Sequence, residues 1–137
     1  MRHAICYVSD KNEKISDKQV EELLKECTTN NTSSGIKGVL LYSEGNFFQI
    51  IEGEKVFILD LFEKIKQDAR HNGIIQIIGR DIAHDAFDGY KTDILNGETK
   101  YQASLPKEYT DTLEGLPGDL KKTMKKMMGT FIDTHEP

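Results

Sequence analysis

A ferredoxin-like α+β sandwich is the fold class predicted for this chain, on three observations. Short runs rich in β-branched and aromatic residues alternate with amphipathic helical runs in the order βαββαββ. The two middle strand-like runs are joined by a tight turn signal, "SEGN". Each helical run separates two strands at crossover length, and right-handed crossovers put both helices on one face of a single sheet.

The first strand reads "HAICYVS", with Ile5 and Tyr7 on one face and Cys6 and Val8 on the other. A helix follows. Ser16 is its predicted N-cap, Gln19 completes a capping box, and Ile15 and Val20 stand at hydrophobic-staple positions. Val20, Leu23, Leu24 and Cys27 recur at i, i+3, i+4 and i+7 as one buried stripe. The turn formers of "TTNNTSSG" are expected to end the helix.

"IKGVLLY" and "NFFQIIEG" form the hairpin, with Gly45 free to take positive φ. In the second helix, Ile58, Leu61, Phe62 and Ile65 make the stripe, Val56, Phe57 and Leu59 widen it, and Gly73 is the expected C′ residue. "IIQIIGRDI" is the next strand, and "DGYKTDIL" a weaker edge strand. A further short helix is expected around 108–113, and a C-terminal one in "GDLKKTMKKMMGTFID". There Leu120, Met124, Met127, Met128 and Phe131 share a face, suited to covering the far side of the sheet or to docking on a partner or membrane surface. The division expected is a sandwich domain over 1–96 and a linker with helical extension over 97–137.

Composition narrows the function. With 37% hydrophobic and 30% charged residues and no run near the ~20 apolar residues of a membrane helix, no span is expected. The start, "MRHAICYVSD", turns polar too soon for a secretory signal, so the expected compartment is the cytoplasm. A net charge of -5 argues against nucleic acid. Cys6, Cys27 and the scattered histidines His3, His71, His84 and His135 give no metal-ligand spacing. The cysteines read as small buried hydrophobes.

One residue resists a purely structural reading. Gln49 lies in the apolar run "EGNFFQIIEGE", and a buried amide without partners costs roughly 1–3 kcal/mol. In the usual strand arrangement the first and third strands are neighbours, which sets Gln49 beside Tyr7. A phenol can donate to the amide or accept from it. Taken singly, Gln49 reads as a satisfied core amide, Tyr7 as a core aromatic, "NNTSSG" as a loop and "DARHNG" as a helix end.

Together, Tyr7 in "CYVSD", Asn31 in "TNNTSSGIKGVLLY", Gln49 in "FFQIIEGE" and the "DARH" after the second helix resemble the BLUF family, over about residues 2–95. These are blue-light sensors that use FAD. The resemblance implies that the flavin ring sits between the two helices, sandwiched by Leu23 and Ile65. It implies that Asn31 hydrogen-bonds the polar edge, with Asn30 nearby, and that Asp68, Arg70 and His71 stand at the pyrimidine edge and the ribityl-phosphate side. Tyr7 and Gln49 match the photoactive pair. The phenol would supply an electron and a proton to photoexcited, non-covalently bound flavin. The amide would relay and reorganise, and its changed bonding to the flavin carbonyl gives a red-shifted signalling state.

The family's last strand typically carries a tryptophan and, two residues on, a methionine. Here Tyr90 and Thr92 take those positions, and the chain has no tryptophan. Flavin binding is expected to survive, with lit-state lifetime and output route altered, and Tyr90 is a candidate second electron donor. The short tail carries no cyclase or phosphodiesterase motif, so the expected protein is not an enzyme. It is a stand-alone sensor that signals to a partner protein and forms homo-oligomers, with the Met124–Phe131 face as docking element. The alternative is a ferredoxin-like interaction domain that has lost efficient photochemistry or flavin binding. An acylphosphatase-like hydrolase is disfavoured, because "VSDKNEKIS" has no arginine and little glycine to cradle an anion.

Overall fold

The computed structural model describes residues 1–82, 90–94 and 118–134. The elements are β1 (Arg2–Lys11), α1 (Asp17–Ser33), β2 (Lys37–Ser43), β3 (Asn46–Glu54), α2 (Lys55–Gln67), β4 (His71–Ile82), β5 (Tyr90–Ile94) and a helix here called α3 (Gly118–Thr134). The helix expected around 108–113, the boundary at 96/97, and His84 and His135 lie outside the described residues.

The sheet has five strands in the order β4-β1-β3-β2-β5. β1 pairs antiparallel with both β3 and β4, β2 antiparallel with β3, and β5 runs parallel to β2 at the edge. The predicted βαββαββ sandwich is the one observed. Strand alternation divides the interior into two cores. Ile5, Tyr7, Leu40, Phe47 and Ile51 face α1 and α2, packing with Val20, Leu23, Leu24, Ile58 and Phe62. Ala4, Cys6, Val39, Leu41, Phe48 and Ile50 face the other way, against Leu120, Met124, Met128 and Phe131 of α3. The methionine stripe is thus consumed in covering the sheet.

The capping box forms: Ser16 Oγ accepts from Gln19 N at 3.2 Å, and Ser16 N donates to Gln19 Oε1 at 2.7 Å. Ile15 packs against the same core that buries Val20. The hairpin turn has only two residues, Glu44 and Gly45, both at positive φ (45° and 90°), the geometry whose twist matches that of the strands.

The α1 helix ends within "TTNNTSSG" as expected, at Ser33, with Ser34 as C-cap and Gly35 at φ 72°. Two expectations need correction. First, α2 ends at Gln67, with Asp68 as C-cap, so Gly73 is not its C′ residue. Gly73 lies within β4 at φ 62°, where Asp10 pairs with Asn72 but Val8 with Ile75; it supplies the extra residue of a β-bulge. A second register shift after Cys6 explains why the adjacent Ile77 and Ile78 both pack on the α3-side core. Second, Val56 and Phe57 do not widen the buried stripe of α2: they are 70% and 64% exposed, and Leu59 is also exposed.

Candidate functional site

The face of the sheet under α1 and α2 carries an uncommon pair for a dry interior. Tyr7 and Gln49 are register partners on the central β1 and β3 strands, and both are buried. Gln49 Nε2 donates to the Tyr7 hydroxyl. Tyr90, on the edge strand β5, donates its hydroxyl to Gln49 Oε1. The buried amide is satisfied on both sides, which answers the cost of placing it there.

Above this pair a slot opens between the helices, enclosing about 170 Å³. Leu23 and Cys27 line it from α1, Leu61 and Ile65 from α2, with Tyr7 and Gln49 beneath. Asn31 is buried at the slot, whereas Asn30 is exposed at its rim. The slot shares Asn30, Asn31, Leu61 and Lys64 with a second cleft that reaches Phe57.

At the other end the chain turns from α2 into β4. Asp68, Arg70 and His71 come together there, and Asn12 pins the turn by donating to the Ala69 carbonyl at 2.9 Å. Arg70 forks onto Asp68 (Nη2 to Oδ2, 2.6 Å) and reaches across to Glu26 of α1 (Nη1 to Oε2, 3.1 Å). His71 is held at both nitrogens, 2.6 Å from the Ile65 carbonyl at Nε2 and 2.8 Å from Ser9 Oγ at Nδ1. A carbonyl only accepts, so Nε2 carries a hydrogen.

Burial governs the site's titration. It pushes the Tyr7 phenol well above its ordinary range, partly countered by the hydrogen bond from Gln49. Tyr90 is raised in the same way, by burial first and then by the neighbouring Cys27 and Tyr7, with a hydrogen bond from Asn31 working against it. Burial also lifts the Cys27 thiol to about 11. The Arg70 hydrogen bond holds the Asp68 carboxyl below its ordinary value, and Asp68 in turn raises Arg70. Both phenols are therefore neutral at physiological pH.

All nine residues expected at the cofactor, Tyr7, Leu23, Asn30, Asn31, Gln49, Ile65, Asp68, Arg70 and His71, line this one slot. Tyr90 meets them through Gln49, and Thr92 hydrogen-bonds Thr28 of α1 at 3.1 Å. Sequence reasoning missed Glu26 and the slot-facing position of Cys27, a half-buried residue rather than a buried one. Leu23, Glu26, Cys27, Asn30 and Asn31 follow helical spacing, and continuing the helix through "TTNN" would have exposed that shared face. Among the described residues no cluster of histidine, cysteine or acidic side chains is arranged to hold a metal ion. None of the described helices is long and apolar enough to cross a membrane.

Fold and slot together define a small-molecule-binding ferredoxin-like domain with a hydrogen-bonded phenol–amide pair at its floor. Residues 3–93 match the family described as BLUF, sensors of blue-light using FAD, and the chain belongs to that family. It is 31% identical over 61 residues to the blue light- and temperature-regulated antirepressor BluF of Escherichia coli (strain K12), 44% of this chain and 15% of that one. It is 32% identical over 73 residues to photoactivated adenylate cyclase subunit beta of Euglena longa, 53% of this chain and 8% of that one. The chain thus spans a small part of these relatives' length. Among solved structures, BlsA in its photo-activated state is similar with TM-score 0.64 and 35% identity, over 73% of this chain and 74% of that one. The BLUF domain of BlrP1 shares the fold at TM-score 0.75 and 23% identity, over 96% and 90% of the chains.

The slot's residues fit a flavin. Leu23 and Ile65 offer apolar walls from opposite helices to a flat ring. Asn31 has both a donor and an acceptor for an edge of alternating carbonyl and N–H groups, and Arg70 supplies further donors. The domain is a flavin-based blue-light sensor; the family is one of sensors, and its enzyme-linked relatives extend far beyond the span matched here.

Proposed function

We propose that this chain binds FAD non-covalently in the slot between α1 and α2, that Tyr7 and Gln49 are its photoactive pair, and that it signals to a partner protein. The observation that carries the proposal is the buried Tyr7–Gln49 hydrogen bond at the floor of that slot. Bound flavin supplies a blue-light-absorbing acceptor for an electron and a proton. Tyr7 gives both, Gln49 relays the proton and changes its hydrogen bonding, and the apolar side chains around them exclude water. Leu23 and Ile65 hold the ring, Asn31 its polar edge with Asn30 at the rim, and Asp68, Arg70 and His71 the end at the α2–β4 turn. Tyr90 and Thr92 modulate the pair from β5.

FAD rather than FMN is the cofactor in this reading, on the family's description as sensors using FAD. The sensing unit is assigned to residues 1–96, the remainder acting as linker and cover. Output passes to a protein partner in the cytoplasm, with self-association of the chain. A docking role for the Met124–Phe131 face requires α3 to leave the sheet, since that stripe is buried. The second reading, an interaction domain with weakened photochemistry, draws on Tyr90 and Thr92 at the tryptophan and methionine positions.

The test is the visible spectrum of purified protein before and after blue light. A yellow protein with a small, reversible red shift supports the proposal. Colourless protein that takes up no added FAD overturns it.

A further inference from the structure

Gln49 is flanked by two phenols. Its Nε2 donates to the Tyr7 hydroxyl, and its Oε1 accepts from Tyr90. Side chains from β5, β3 and β1 therefore form one buried line with a common direction: Tyr90 to Gln49 to Tyr7.

Every member of this line can both give and receive a hydrogen bond. Turning over the amide reverses the line, with Tyr7 donating to Gln49 and Gln49 to Tyr90. Each contact is made again with no partner lost. An indole at position 90 only donates. It would suit Gln49 Oε1 in one orientation and oppose Nε2 in the other, leaving two donors face to face in a dry site.

We propose that Tyr90 is a positioning residue that makes Gln49 a two-state amide, fully hydrogen-bonded in both orientations, so that the orientation reached in the light is retained. This rests on the flavin photoreceptor reading above. The fold holds Tyr90 for the task. Its register partner on β2 is Gly38, and two residues on, Thr92 ties β5 to Thr28 of α1, whose hydroxyl also reaches the Leu24 carbonyl at 3.0 Å.

The experiment compares flavin-loaded wild type with Tyr90→Phe and Tyr90→Trp, following dark recovery by visible absorbance after a blue pulse. Light-minus-dark infrared spectra are recorded alongside, with Tyr90 bands assigned by their loss in Tyr90→Phe. All three proteins are expected to show the red shift. Wild type recovers slowest, and Tyr90→Trp recovers about tenfold faster or more, the scale of opposing two buried donors. Tyr90→Phe, neutral to amide direction, falls between, and a Tyr90 band shifts on illumination of wild type. Recovery rates that agree within about twofold, or a Tyr90→Trp protein as slow as wild type, overturn the inference. Should Tyr90→Trp lose its flavin, an unshifted Tyr90 band in wild type overturns it and a shifted band supports it. Failure of wild type to bind flavin or to shift overturns the photoreceptor reading as well, whereas a shifting wild type with indifferent variants overturns this inference alone.

Discussion

Tyr7 and Gln49 face each other across the central β1–β3 pair, and the amide nitrogen of one meets the hydroxyl oxygen of the other. Two polar side chains in the middle of a sheet are stable there because each meets the other's need. Replacing Gln49 by leucine removes the switch and strands two phenols. Gln49→Leu is expected to keep flavin bound in the slot and to abolish the light-induced red shift. Its unfolding free energy in urea should fall by about 1–2 kcal/mol, the cost of an orphaned buried hydroxyl partly offset by the added apolar volume. A Gln49→Leu protein that still shifts would remove Gln49 from the mechanism.

The ionic end of the slot predicts a pH dependence. Arg70 hydrogen bonds depress the Asp68 carboxyl below its ordinary 3.8 in the folded chain. A depressed carboxyl stabilises the fold above its unfolded value, and that stabilisation is lost as pH falls through the lower folded value. Between neutral pH and the ordinary carboxylate value the contribution is therefore present in full. Below that value it drains away. Flavin-free wild type should lose more stability than Asp68→Asn on titration from pH 5 to pH 2.5, about the window set by an acid titrating below its ordinary range. Parallel stability curves for the two proteins would refute the role given to Asp68.

Gly38 predicts the strictest steric demand. Its φ is 139°, and a Cβ built there would lie 1.9 Å from the Ile50 carbonyl oxygen. The β2–β3 pair closes over this position, and Gly38 is also the register partner of Tyr90. Gly38→Ala must therefore push strands apart beside the switch. The expected loss is about 2–4 kcal/mol in urea unfolding, combining backbone strain and overpacking. Flavin affinity should fall with it, whereas Gly35→Ala, which meets no atom within 4 Å, should show only the strain of its φ of 72°.

These relationships were unequally legible in the sequence. Period-two alternation in "FFQIIE" put Gln49 on the face of Tyr7 without any structure, because strand faces follow from spacing alone. Asn30 and Asn31 were harder. Their residue types favour turns, yet the helix runs through them and Asn31 is buried at the slot. Tertiary demand outweighed local propensity there. Gly73 misled for a related reason: positive φ serves a helix end and a β-bulge equally well, and only strand pairing separates the two. Glu26 carried no signal of its own, since its role depends on Arg70 arriving from 44 residues away.

The sheet separates two cores, and this separation can itself be measured. Phe62 lies on the α2 side with its ring 5.6 Å from that of Tyr7, whereas Met124 is fully buried on the α3 side against the opposite faces of the same strands. Both are large buried side chains, so Phe62→Ala and Met124→Ala should each cost about 2–5 kcal/mol by lost burial and cavity formation. Their effects on the site should differ. Emptying the space beside Tyr7 frees its ring and admits water to the slot, so Phe62→Ala should alter the flavin spectrum and the yield of the red shift. The Met124→Ala cavity opens beneath the far face, where strand backbones isolate it from the phenol–amide pair. That variant should bind flavin and shift like wild type at temperatures where it remains folded. Equal spectral damage from both substitutions would show that the two faces are coupled through the sheet, and that α3 senses the site without leaving its place.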